Sequence, residues 1–122
     1  LISHKISHQK IFSVLSGDDP TFNSFMANGG NGVISVAANI IPQHIAKICS
    51  LNLSKQFNEA EKLDLNFKNL YELLFVESNP MPVKWMLHKM GKIDSGIRLP
   101  LVSFNSAYHE QSLEEMLKLK LI

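Results

Sequence analysis

Short apolar runs and segments of helical periodicity alternate over the first part of the chain. The run Ile11–Leu15 is β-prone and is followed by a Ser-Gly-Asp-Asp turn, which predicts a short strand. Asp19 and Pro20 then predict the N-cap and the first position of a short helix. A second strand is predicted over Gly32–Ala37, because its lack of polar alternation is typical of a parallel strand covered on both faces. A helix from Pro42 completes a strand–helix–strand–helix order, which indicates a parallel α/β fold.

After Leu53 the pattern becomes helical. Asn58 and Glu61 have the spacing of a capping box, which predicts the start of a long helix. Apolar residues recur along this segment at helical spacing, and they are Leu63, Phe67, Leu70, Tyr71 and Leu74. We therefore expect one long amphipathic helix that buries this stripe.

Prolines and a glycine divide the remaining chain. Pro80 and Pro82 break the preceding helix and predict the start of another, which ends at Gly91. Residues 93–106 have no helical periodicity and are predicted to form a loop. Ser112 and Glu115 have the spacing of a second capping box, so a final helix is expected to start there.

Two parallel strands do not form a stable sheet by themselves. The first strand would leave a row of unpaired backbone groups at its edge, and a strand patterned for burial does not suit an edge. The pattern therefore indicates the end of a larger α/β domain. We expect a first part that contains the strands with their helices and a second half that is entirely helical.

Composition limits the classes of partner. Twelve Lys and Arg oppose eleven Asp and Glu, so the formal net charge of +1 favours neither nucleic acid nor an anionic membrane. The single cysteine, Cys49, excludes an intramolecular disulfide and suits a reducing cytoplasm. No apolar run approaches the roughly 20 residues that a membrane-spanning helix needs. We expect a cytoplasmic protein without nucleic-acid or membrane partners.

Few residues are candidates for catalysis or metal binding. His4 and His8 have a spacing that zinc enzymes use, but no third ligand is indicated, so no metal site is predicted. The Gly-Gly-Asn-Gly segment at residues 29–32 precedes a strand, and we expect it to end a helix rather than to bind phosphate. Lys84 lies at a helix start, where capping or ion pairing is expected. No lysine follows either predicted strand, so the residues alone predict neither a catalytic group nor a cofactor.

Two acidic residues follow the first strand. Strand carboxyl ends are where α/β barrels bind their ligands, so Asp18 and Asp19 could contact a ligand. Alternatively, Asp19 caps the following helix and Asp18 stabilises the turn. The pattern alone favours the second interpretation.

Four motifs occur in order along the chain. They are Leu-Ser-Gly-Asp-Asp at residues 15–19, Gly-Gly-x-Gly-Val-Ile-Ser-Val-x-Ala-Asn at 29–39, Leu-Phe-Val-Glu-Ser-Asn-Pro-x-Pro-Val-Lys-Trp at 74–85, and Arg-Leu-Pro-Leu at 98–101. With these motifs, essentially the whole chain closely resembles the C-terminal part of the bacterial dihydrodipicolinate synthase family. The third motif favours this family over the related N-acetylneuraminate lyases.

The resemblance implies a fold and an activity. The implied fold is the last two βα units of a (β/α)₈ TIM barrel followed by a C-terminal helical domain, usually within a homotetramer. By the resemblance, the partial barrel covers residues 1–55 and the helical domain covers residues 56–122. The family condenses pyruvate, held as a Schiff base on a lysine, with aspartate semialdehyde in lysine biosynthesis. By the same resemblance, the nucleophilic lysine and the catalytic tyrosine lie upstream of Leu1, in the N-terminal barrel portion. No catalytic residue is therefore expected within this chain.

The resemblance also assigns a few residues to the substrate pocket. Ile34 matches a residue whose backbone oxygen faces pyruvate, Gly17 matches a glycine near the substrate carboxylate, and Asp18 is expected to line the same pocket. The helix over residues 20–28 matches a subunit-contact helix. Two alternatives remain open: a fragment of another pyruvate-dependent aldolase, and a truncated, non-catalytic assembly module.

Overall fold

The computed structural model describes residues 12–122, so Ile11, His4 and His8 lie outside the described residues. The chain divides into two compact units, the first ending at Asn66 and the second comprising Phe67–Ile122. The domain boundary expected between residues 55 and 56 stays a prediction. In the described part of the chain, no helix is both long and apolar enough to cross a membrane.

Two short strands form a parallel pair in the first unit. β1 (Leu15–Ser16) pairs with β2 (Gly32–Val33), with Leu15 opposite Gly32 and Ser16 opposite Val33. The pairing continues beyond the strands, because the Ile34 amide donates to the carbonyl oxygen of Ser16 at 2.8 Å. Two parallel strands were predicted, and their order along the chain is confirmed.

Both strands are shorter than predicted, and β2 is not covered on both faces. The backbone already has helical angles at Val36, and a 3₁₀ turn follows over Ala37–Asn39, which ends the extended segment. Gly32 and Val33 are partly exposed, and the side chain of Ile34 is 72% exposed. The apolar sequence over residues 32–37 is typical of a strand buried on both faces, but the described residues do not bury this strand.

α1 (Phe22–Ala27) buries Phe22 and Met26 against the rest of the first unit. The helix N-cap is Thr21, which makes no side-chain capping hydrogen bond. The prediction that Asp19 caps this helix is therefore wrong, because its carboxylate is engaged elsewhere. The expectation that segment 29–32 ends the helix is confirmed, since Gly29 has a φ of 98°, a conformation that favours glycine.

Two helices complete the first unit. α2 (Pro42–Leu53) starts at the predicted proline, while α3 (Phe57–Asp64) starts with Gln56 as its N-cap. Asn58 is therefore inside α3, and the first predicted capping box is wrong. The single long helix is also wrong, because a 3₁₀ turn at Leu65–Phe67 separates α3 from the next helix.

The second unit is helical, as predicted. It contains α4 (Lys68–Leu74), α5 (Met81–Lys89) and α6 (His109–Lys118), and both α5 and α6 pack against α4. Gly91 follows α5 with a φ of 68°, as expected for a glycine after a helix end. The fully buried side chains of the second unit include Tyr71, Leu70, Leu74, Met86 and Met116.

The second predicted capping box, Ser112 with Glu115, is wrong. Both residues lie inside α6 and are buried. The helical segment begins earlier, with a 3₁₀ turn over Ser106–Tyr108, where the Asn105 side chain accepts a hydrogen bond from the Ala107 amide at 2.9 Å. Ser112 and Glu115 therefore have the spacing of a capping box, but they lie in the interior of α6 and not at its start.

The close approach of the backbone to Phe25 makes Gly30 a sensitive position. A Cβ at Gly30 would lie 2.3 Å from two ring carbons of Phe25. We expect Gly30→Ala to lower the free energy of unfolding by about 1–3 kcal/mol through overpacking. Urea unfolding measures the change. Gly96→Ala is the matched control, because a Cβ there meets nothing within 4 Å, and equal effects of the two substitutions would contradict the prediction.

Candidate functional site

The carboxyl ends of β1 and β2 form the candidate site. Gly17 follows β1 and Ile34 follows β2, and because the strands are parallel the two residues lie at the same edge. The hydrogen bond from the Ile34 amide to the Ser16 carbonyl fixes this neighbourhood. Gly17 is exposed, and a Cβ added there would meet nothing within 4 Å. The structure thus brings together the two residues that the sequence motifs pointed to.

Asp18 lies in the turn directly after Gly17. Its amide donates to the hydroxyl oxygen of Ser16 at 3.2 Å, and the Ser16 hydroxyl donates to the Asp18 carbonyl at 3.3 Å. The exposed carboxylate of Asp18 accepts a hydrogen bond from the Thr21 hydroxyl. These contacts stabilise the turn, and they leave the rest of the carboxylate open at the edge of the candidate site.

Asp19 joins the two strand ends through a buried hydrogen-bond bridge. Its side chain is almost fully buried, and one carboxylate oxygen, Oδ2, accepts hydrogen bonds from the amides of Val36 and Ala37, each at 3.0 Å. The other oxygen, Oδ1, is buried without a hydrogen-bond partner. Asp19 therefore caps the 3₁₀ turn after β2 rather than α1, and it holds the backbone that follows Ile34.

Sequence reasoning missed this role of Asp19. An aspartate before a proline is typical of a helix N-cap, which is a local interaction. The actual acceptor–donor pairs link residues 17 and 18 positions apart. No spacing rule connects such positions, so the only signal was that both segments follow predicted parallel strands.

Within residues 12–122, neither the cysteine nor the lysines offer a nucleophile directly after either strand. Burial raises the pKa of the Cys49 thiol on α2, so the thiol is protonated at neutral pH. Among the described residues, no group of three or more His, Cys, Asp or Glu side chains could hold a metal ion. The described lysines begin at Lys47, and none follows either strand directly.

Lys84 lies at a helix start, as predicted, but without the ion pair that was expected there. It lies in the first turn of α5, in the second unit, and its amide donates to the Pro80 carbonyl at 3.0 Å. Its side chain forms no ion pair within the described part of the chain, in which Lys118 pairs with Glu115. The ion pairing expected for Lys84 is therefore not observed.

Comparison with known proteins identifies relatives over nearly the whole chain. The model of the dihydrodipicolinate synthetase family matches residues 1–120. A 4-hydroxy-tetrahydrodipicolinate synthase from Teredinibacter turnerae is 49% identical over 106 residues, which cover 87% of this chain and 36% of that protein. A 4-hydroxy-tetrahydrodipicolinate synthase from Coxiella burnetii is 47% identical over 103 residues, which cover 84% of this chain and 36% of that protein. The chain therefore spans little more than a third of the length of these relatives.

Solved structures show the same relationship. One is a dihydrodipicolinate synthase from Acinetobacter baumannii, described as chloride-inhibited and complexed with pyruvate. Its TM-score to this chain is 0.92 at 39% sequence identity, and the match covers 98% of this chain and 41% of that enzyme's chain. A monomeric dihydrodipicolinate synthase variant has a TM-score of 0.94 at 31% identity, and the match covers 99% of this chain and 40% of that variant's chain. These neighbours are TIM-barrel enzymes, so the predicted fold class, a partial barrel with following helices, is confirmed.

The Asp19 bridge leads to a prediction about stability. We expect Asp19→Ala to lower the free energy of unfolding by about 2–5 kcal/mol, because the amides of Val36 and Ala37 lose their acceptor in a buried site. Asp19→Asn keeps one acceptor oxygen and should cost less. Urea unfolding measures the loss, and hydrogen exchange at the two amides locates it.

Asp18→Ala is the matched control for this prediction. The Asp18 side chain is exposed, and its removal should change the free energy of unfolding by no more than about 0.5 kcal/mol. A loss at Asp18 as large as that at Asp19, or unchanged exchange at Val36 and Ala37, would contradict a structural bridge.

Proposed function

Because the chain belongs to the dihydrodipicolinate synthetase family, we propose that it supplies one wall of the substrate pocket of a 4-hydroxy-tetrahydrodipicolinate synthase. The observation that carries this proposal is the 49% identity to such an enzyme over 106 residues. The proposed reaction is the condensation of pyruvate with aspartate semialdehyde in lysine biosynthesis. The proposed substrates come from the family resemblance, and the complex of the Acinetobacter baumannii enzyme with pyruvate supports the first of them.

The proposed role of this chain is to orient pyruvate through main-chain groups. The carbonyl oxygen of Ile34 faces pyruvate, and Gly17 lies beside the substrate carboxylate, where the missing side chain leaves room. Asp18 lines the same pocket. The nearness of Gly17 and Ile34 at one strand edge supports this assignment. By the family resemblance, the Schiff-base lysine and the catalytic tyrosine belong to the N-terminal barrel portion.

The Asp19 bridge gives the proposed pocket its rigidity. A carbonyl group orients a substrate only if its peptide plane is fixed, because catalysis depends on groups that are positioned before the reaction. The Ile34 amide is held by the Ser16 carbonyl, and the amides of Val36 and Ala37 are held by Asp19. The backbone on both sides of the Ile34 carbonyl is thereby restrained.

The proposed setting is a cytoplasmic homo-oligomer without a cofactor. The near-neutral charge balance supports a partner other than nucleic acid or an anionic membrane. α1 is the proposed subunit-contact helix by family resemblance. Leu15 and Ile34 are 48% and 72% exposed, which supports a covering partner for this part of the first unit.

A chimera tests the proposed pocket. The part of the Teredinibacter turnerae enzyme that precedes its matched segment is fused to this chain, and the product is treated with pyruvate and borohydride. We expect intact mass spectrometry to show one reduced pyruvate per chimera subunit and none on this chain alone, because no described lysine follows a strand end. A folded chimera without adduct, or a stoichiometric adduct on Lys84 in this chain alone, would contradict the proposal.

Variants of the chimera test the residue assignments in the same experiment. Gly17→Val should raise the KM for pyruvate about tenfold by filling the space beside the carboxylate, whereas Gly96→Val is the control at a glycine with equally open surroundings. Equal KM values would show that Gly17 does not border the substrate. An adduct that does not react with aspartate semialdehyde would favour another pyruvate-dependent aldolase.

The exposed strand edge predicts self-association of the isolated chain. In the described residues β1 pairs only with β2, and its other edge carries no proline or charged side chain. We expect oligomers by size-exclusion chromatography with light scattering, and Leu15→Lys should shift them toward monomer. A monodisperse monomer with exchange-protected amides in residues 12–15 would show that this edge is already covered.

A further inference from the structure

A cavity of about 260 Å³ lies within the second unit. Its lining comes from α5, from the segment after α5 and from the start of α6, all between Met81 and His109. Trp85 and Lys89 come from α5, Phe104 comes from the segment after α5, and His109 comes from the start of α6. The sequence motifs include Trp85, but neither the motifs nor the proposed pocket of the first unit accounts for this cavity.

One wall of the cavity is aromatic and rigid. The rings of Trp85 and His109 stack with their centroids 4.4 Å apart, and Phe104 packs 5.5 Å from Trp85. The orientation of His109 is fixed, because its Nε2–H donates to the Phe104 carbonyl oxygen at 3.0 Å. Phe104 itself is buried. Flat, apolar surface is thus held in place for a ligand with a flat ring.

The other feature of the cavity is positive charge that no carboxylate of its lining neutralises. Lys84 and Lys89 both line it, and the Lys89 ammonium lies 5.3 Å from the centroid of the Trp85 ring. No Asp or Glu belongs to the lining, and neither lysine forms an ion pair within the described part of the chain. Two ammonium groups without a carboxylate partner, beside an apolar wall, favour an anion, because the wall lowers the local dielectric constant.

We propose that this cavity binds a small aromatic or heteroaromatic carboxylate. The ring of the ligand packs against the aromatic wall, and its carboxylate accepts hydrogen bonds from Lys84 and Lys89. The volume of about 260 Å³ is below the range of about 300–1,000 Å³ for drug-sized ligands, so a single ring fits better than a nucleotide. This inference rests on the second unit alone and does not depend on the proposed enzymatic activity.

Trp85 makes the test direct, because it is the only tryptophan of the chain. The intact chain is titrated with isophthalate, a flat aromatic dicarboxylate, while tryptophan fluorescence is followed. The control ligand is isophthalamide, which has the same ring and shape but no charge. We expect saturable quenching by isophthalate, weaker binding at higher ionic strength and at least tenfold weaker binding of isophthalamide.

Lysine variants separate the cavity from general charge effects. Lys84→Gln and Lys89→Gln should each raise the Kd of isophthalate about tenfold, since each removes a charged hydrogen-bond donor. Lys68→Gln is the matched control, because Lys68 is an exposed lysine of the same unit outside the cavity. Circular dichroism checks that every variant keeps its helix content.

Three outcomes would overturn the proposal. The first is no saturable response at millimolar isophthalate, and the second is equal binding of isophthalate and isophthalamide. The third is an equal loss of affinity in Lys68→Gln and in the two cavity variants. Because the readout is ligand binding to this unit, none of these outcomes bears on whether the chimera forms a pyruvate adduct.

Discussion

The carboxylate of Asp19 ties together two segments that lie 17 residues apart in the sequence. One carboxylate oxygen accepts hydrogen bonds from two backbone amides. Because Asp19 is almost fully buried, water cannot replace the carboxylate as the acceptor for these amides. β1 and β2 are only two residues long each, and their pairing reaches no further than the Ile34 amide, so Asp19 holds the backbone that follows. The geometry of the strand edge therefore depends on this bridge together with the hydrogen bond from the Ile34 amide to the Ser16 carbonyl.

The exposed apolar residues of the first unit have the same origin as its short strands. Ile34 and Leu15 are patterned for a sheet interior, but the described chain offers each strand one neighbour. The relatives are nearly three times as long as the matched segment, which covers 36% of the Teredinibacter turnerae enzyme. In an enzyme of that length, a closed barrel would cover such residues. The second unit differs, because its helices bury a core of their own.

Much of the fold could be predicted from the sequence, because many of its signals are local. Pro42 at the start of α2 and the left-handed conformation of Gly29 follow from the backbone preferences of single residues. The order of two parallel strands followed from the apolar pattern, and the motifs around Gly17 and Ile34 pointed to the strand edge. The two capping boxes failed, because the same spacing occurs inside a helix when an earlier turn has already started it.

The sequence by itself determined the fold class and the helical character of the second half, and its motifs pointed to Gly17 and Ile34, which follow the two strands. Only the tertiary structure decided that Asp19 bridges to Val36 and Ala37, and that Trp85 and His109 stack beside two lysines that form no ion pair in the described part of the chain. The physical reason is range. Backbone preference and hydrophobic periodicity act between neighbours in the chain, whereas a buried hydrogen bond or a ring contact needs two distant segments to be folded before the partners meet.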